Sequence, residues 1–115
     1  MDDSILITIK KSLGIDTADT SFDSDIIMHI NSFIPVLYQL GVGPSSGLLI
    51  EDSSSSWGDL LDNESKLALV KTWLYLRVRK VFDPPQSGTA MEALNSTINE
   101  LEWRINVSVD PIKES

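Results

Sequence analysis

Apolar positions recur at helical spacing in four stretches of this chain, and clusters of glycine, proline and serine separate them. The first stretch runs from Ser4 to Leu13. Asp2 and Asp3 precede it, Lys10 and Lys11 lie near its end, and Gly14 follows, so a short helix is expected. Its β-branched residues would suit a strand, but the end signals favour a helix. Residues 15–21 are polar and read as a loop. A second helix is expected from near Ser21 to Leu40. Ile26, Ile27, Ile30, Phe33, Ile34, Leu37 and Leu40 recur along it, and Gly41 ends it. Pro35 removes a backbone donor inside this run, which predicts a kink near Asn31–Pro35 or a break.

The third helix is expected after Asp62-Asn63, either of which can cap it, with Glu64 in its first turn. Leu67, Val70, Leu74, Val78 and Val81 form one stripe, and Leu69, Trp73 and Leu76 form a second. A helix with two apolar stripes is covered from two sides, which makes this the central helix. Asp83-Pro84-Pro85 stops it, because a residue before proline avoids the helical region. Ser87 is placed to cap a fourth helix, with a core stripe of Met91, Leu94, Ile98, Leu101 and Ile105. Trp103 points away from that stripe. It is either an interface residue or it folds back onto Val107 or Val109. From Val107 the chain alternates and then meets Pro111, so an extended tail is predicted.

Between the second and third helices, residues 41–63 are irregular. Gly41, Gly43, Pro44 and Gly47 break regular structure, and Ser53–Ser56 is a serine tract. Two apolar islands interrupt the loop, Leu48-Leu49-Ile50 and Trp57 to Leu61. The first either pairs as a short strand with a neighbour or plugs the chain's own core. The fold class is therefore all-α: a small bundle of four main helices with a long irregular central loop and an extended C-terminal tail. One domain spans residues 1–107, with its loop at 41–63, and residues 108–115 form the tail.

Charge adds an asymmetry. Residues 1–62 hold ten acids and two bases, net −8, while residues 63–115 hold seven of each, net 0. Such a surface does not seek nucleic-acid phosphates, which call for a basic stripe. It suits a protein that DNA passes without sticking, or it simply keeps the chain in solution. Arg77, Arg79 and Lys80 form a basic cluster near the end of the third helix. They complement the helix dipole there, and the acidic half of a neighbouring copy could also use them.

No catalytic constellation appears. Without cysteine, disulfides and thiolate zinc sites are excluded, and the single histidine, His29, cannot make an ordinary zinc site. Gly41 to Gly47 resembles a phosphate loop only superficially, since it lacks the closing Lys-Ser/Thr. Asp23-Ser24-Asp25 lacks the later glycine and glutamate of a calcium loop. Glu100 and Glu102 straddle their helix and cannot work as an acid/base pair. No cofactor is expected. The longest apolar run is interrupted by Lys71 and Arg77 and falls short of a membrane span, and Met1-Asp2-Asp3 is acidic where a signal peptide would be basic. A cytoplasmic protein without a membrane partner is expected.

As a whole, LVKTWLYLRVRKVFDPPQSGTAMEALNSTINELEWRINV resembles the C-terminal half of the small head–tail connector proteins of long-tailed, double-stranded DNA bacteriophages, also called adaptors or head-completion proteins. The likeness rests on Tyr75 to Lys80, the FDPP corner at Phe82–Pro85, the small-residue linker and the MEALN…INELEWRIN run. It is most specific over residues 64–107. The front half fits too, with a short first helix, a D…I…HI…FI…L…LG second helix and a variable middle loop.

The resemblance implies a virion protein, assembled in the host cytoplasm, that forms a homo-oligomeric ring of about a dozen copies. Such a ring docks on the portal protein, extends the DNA channel and recruits a stopper or tail-completion protein. DNA would pass without sequence-specific binding. It implies portal contact near the C-terminus, here about Trp103 to Ile112, and a middle loop facing the channel or the next ring. The interface candidates are Leu48, Leu49, Ile50, Trp57, Arg77, Arg79, Lys80, Trp103, Val107, Val109 and Ile112.

The rival reading is an acidic helical binding module that regulates a partner protein, of the antitoxin or DNA-mimic type. An enzyme subunit completed elsewhere would need a titratable pair that is not found. ATP, zinc or calcium should leave the melting curve unmoved, and a saturable shift in a thermal scan would establish a ligand site.

Overall fold

The computed structural model describes residues 4–43, 48–61 and 64–109. Five helices follow in order: α1 (Ile5–Ser12), α2 (Asp23–Gln39), α3 (Trp57–Leu60), α4 (Glu64–Phe82) and α5 (Gly88–Val109). Among the described residues there is no strand, only an isolated bridge between Ser4 and Ser56. The all-α expectation holds, with α3 as a short fifth helix inside the central loop.

The helix ends follow from local chemistry. Ser4 caps α1 by accepting from the Ile7 N–H at 3.2 Å. At the other end Gly14 takes φ +82°, the Gly14 N–H donates to Lys11 O and the Ile15 N–H to Lys10 O. α2 ends in the same motif: Gly41 takes φ +97°, its N–H donates to Tyr38 O, and the Val42 N–H donates to Leu37 O. Both are glycine-terminated Schellman ends, which satisfy carbonyls that the helix leaves open. Ser87 caps α5 as expected, accepting from the Ala90 N–H at 3.0 Å. α2 begins at Asp23 rather than Ser21, whose N–H is taken by the Asp19 carboxylate in the preceding turn.

α4 is central. It packs against α5 on one side and against α2 and α1 on the other. Val70, Trp73, Leu74 and Val78 are fully buried along it, facing Ile26, Ile30, Ile34 and Leu37 of α2 and Leu94, Ile98 and Ile105 of α5. Trp73 lies between the flanking helices. Its ring meets Phe33 edge-on at 6.2 Å, and its Nε1–H donates to Glu102 of α5 at 3.0 Å. Arg77 donates to the same carboxylate oxygen at 2.9 Å and stacks over Phe33 (4.6 Å) and Trp73 (5.4 Å).

A second polar node lies where α1 meets α2. Lys10 is 1% exposed and pairs with Asp23 at 2.9 Å. It also donates to the carbonyls of Thr17 and Asp19 at 3.1 and 2.8 Å, which ties down the turn before α2. A buried ammonium is tolerable only when its donors are met in this way.

Two expectations are corrected and one is narrowed. Of the kink or break expected at Pro35, the break is excluded, since α2 is continuous through it. α5 runs on to Val109, so Val107–Val109 are helical rather than extended; the first breaker there is Pro111, outside the described residues. Val81 leaves the core stripe and is 49% exposed. At that end of the bundle Phe82 instead packs edge-on against Phe22 at 5.5 Å.

Trp73→Ala should cost about 3–5 kcal/mol in urea unfolding, because it empties a buried aromatic site and frees two partners. Near-wild-type stability would show that α4 is not held there. Glu102→Ala should cost about 1–3 kcal/mol, since it strips the acceptor from the Trp73 N–H and Arg77. A denaturation midpoint equal to the wild type would mean that water replaces the carboxylate without loss.

Candidate interaction surfaces

The interface candidates sort by burial. Ile50 and Trp57, both 1% exposed, lie inside the chain's own core. The Ile50 backbone is held at both polar atoms by one side chain: Asn31 Nδ2 donates to Ile50 O, and the Ile50 N–H donates to Asn31 Oδ1, both at 2.9 Å. Trp57 opens α3, and its Nε1–H donates to Thr8 of α1 at 3.0 Å. The Lys71 ammonium lies 5.5 Å from its ring centre. The Ile5 N–H reaches Ser55 O, so the loop closes over the start of α1. Of the two alternatives for the first apolar island, the plug is realised by Ile50. Leu48 is half-buried against the core, and Leu49 projects outward, 67% exposed.

Arg77 is turned inward to Glu102 and the two rings, so it is not a free cation for a partner. Arg79 is half-buried, and Lys80 is exposed at the end of α4. Trp103 is 66% exposed on the face of α5 opposite its core stripe, and Val107 lies one turn further along the same face, 36% exposed. Beside them the Arg104 guanidinium grips Glu100 at 2.8 Å, a rim pair in water. Val109 closes α5, and Ile112 lies outside the described residues.

Sequence reasoning missed several exposed apolar side chains. Met28 (58%) and Tyr38 (52%) project from α2, and Phe22 (41%) with Val81 marks the opposite end of the α4–α5 hairpin from Val107. Met28 was legible, since it sits half a turn from Ile26 and Ile30. Phe22 was not, because it precedes the helix and belongs to no period.

The exposed apolar side chains are candidate docking points. Among the described residues, no group of three or more His, Asp or Glu side chains could hold a metal ion. No described helix is long and apolar enough to cross a membrane. The acids that are perturbed are turn-formers: the Ser54 hydroxyl and N–H hold the Asp52 carboxyl below the usual carboxylate range, and those of Ser21 do the same for Asp19.

Neither the curated proteins nor the solved structures yield a match to this chain. A family model described as phage connector protein matches residues 5–111, from the first residue of α1 to beyond the end of α5. The match takes in all five helices and the central loop, and on that basis the chain belongs to the phage connector protein family.

Proposed function

We propose that this chain is the adaptor of a phage head–tail joint: it forms a ring of about twelve copies, docks on the portal, extends the DNA channel and recruits the next stopper or tail protein. The observation that carries this reading is the family match over residues 5–111. Membership supports a structural role in the virion at the head–tail joint. The ring, the portal contact and assembly in the host cytoplasm are the proposal.

Two features support it. α5 contacts chiefly α4, so its outer face is open, and that face carries Trp103 and Val107. An exposed tryptophan on a rigid helix is a strong anchor for a partner, because it brings a large contact area at small entropic cost. Leu49 and Lys80 are further exposed contact candidates, with Arg79 half-buried beside Lys80. The excess negative charge of residues 1–62 would let duplex DNA pass a channel wall without adhering.

Native mass measurement with negative-stain imaging of the same sample tests the reading. A closed ring with a hole wide enough for duplex DNA is expected, alone or templated on portal-bearing capsids. A chain that stays monomeric in both settings and binds one basic protein one-to-one would replace the adaptor with the binding-module reading. Trp103→Ala should weaken assembly or docking by about 2 kcal/mol, as an interface hot spot does, while the melting temperature moves by only about 2–3 °C. A large fall in melting temperature with assembly intact would make Trp103 a structural residue.

A further inference from the structure

Beside α2, on the side of the acidic half, two contiguous depressions of about 560 and 330 Å3 share Ser24, Ile27 and Glu51. Together they form a groove between the first half of α2 and the segment Glu51–Ser53, reaching Leu6 and Ile7 of α1. Its apolar surface is Ile27 with the 58% exposed Met28, a side chain that adapts to varied partners. Its charged rim is Glu51 and Asp52, both exposed.

The lysine in this groove offers nothing to a partner. Lys10 is buried and directs its ammonium to Asp23 and to the carbonyls of Thr17 and Asp19. The Lys10–Asp23 pair cancels, which leaves the groove the negative charge of Glu51 and Asp52. Asp52 keeps its charge to lower pH than an ordinary carboxylate, because Ser54 donates to it twice. The groove follows α2 from Ser24 to Ser32, a rise of about 12 Å, which matches about four residues of extended chain.

We infer that this groove is a docking site for a short extended segment of a partner protein that alternates basic and apolar side chains. Its cations meet Glu51 and Asp52, and its apolar residues lie on Met28 and Ile27. The inference deepens the adaptor reading by naming the chemistry of one neighbour, and it rests on that reading for the setting in which the neighbour is met. The charge complementarity commits the groove to a cationic occupant, and the methionine makes the contact more than electrostatic.

The test is an NMR titration of the full chain with an acetylated, amidated Lys-Leu-Lys-Leu peptide at low salt, with Glu-Leu-Glu-Leu and spermidine as controls. Amide shifts confined to Ser24–Ser32 and Glu51–Ser53 are expected with the basic peptide alone. They should fade in about 1 M salt, where screening shortens to about 3 Å. Glu51→Gln should weaken binding about threefold, as loss of one exposed charge pair does. Met28→Gln, also at an exposed site, should instead weaken the apolar half of the contact without adding charge. Circular dichroism of both variants should stay at wild type.

Absence of groove shifts, shifts spread over the whole acidic surface, or equal binding of spermidine would overturn the inference. So would loss of self-assembly in Glu51→Gln, which would make the groove a contact between copies. Groove binding in a chain that never forms a ring would leave the docking site standing and remove the ring.

Discussion

The placement of α2 and α5 about α4 depends on what α4 presents at Trp73 and Arg77. α2 and α5 make few direct contacts, so their relation is fixed through this one side-chain group. One carboxylate oxygen of Glu102 accepts from both Trp73 and Arg77, and the guanidinium lies over the rings of Phe33 and Trp73. A hydrogen-bonded tryptophan and a stacked arginine are both directional, so they set the rotation of α5 about its axis as well as its distance. Leu94, Ile98 and Ile105 supply the burial, but apolar contacts alone tolerate sliding. Glu102 faces inward, and its chain neighbour Trp103 is therefore held outward. The presentation of that tryptophan follows from the same fixed rotation.

The loop between α2 and α4 obeys a related constraint. A bundle with a four-residue helix and an eight-residue helix on one flank cannot cover α4 with helix alone. Ile50, on irregular backbone, and Trp57 and Leu60 of the short α3 complete the cover. Buried loop backbone must have its polar groups met. Asn31 meets Ile50 at both atoms, Ser55 O accepts from Ile5, and the Asp59 carboxylate accepts from the Ser56 N–H at 3.0 Å. With those groups satisfied, Leu49, Glu51 and Asp52 are among the described loop residues that face outward.

This division explains how much was legible beforehand. The four main helices, the glycine ends of α1 and α2 and the Ser87 cap follow from signals within a few residues of each other, and the inward faces follow from a 3.6 period. The outward Trp103 is a consequence of that same period. The burial of Ile50 and Trp57 was not legible, since a loop residue has no period to reveal its direction and both partners, Asn31 and Thr8, are remote in sequence. Arg77 read as part of a surface cluster because its partner, Glu102, lies on another helix. Lys10 read as a helix-end cation. It is buried because three acceptors from the following turn and from α2 converge on it. These four residues were misread because polar contacts tie them to other segments of the chain, which composition and spacing do not encode.

Those contacts leave the surface with a particular character. The strongly directional groups are consumed in the interior, and the exposed apolar side chains are spread out: Leu49, Met28, Tyr38, the Phe22–Val81 end and the Trp103–Val107 face. Dispersed anchors limit association between free subunits, because a single exposed apolar side chain offers little area to another copy. An acidic first half adds repulsion between copies. Such a surface favours association only where several weak, oriented contacts form together, since linked contacts gain from one another's effective concentration. A joint built on a preformed template meets that condition more readily than free solution does. The same surface that keeps single chains apart would therefore favour the proposed ring where a portal holds its neighbours side by side.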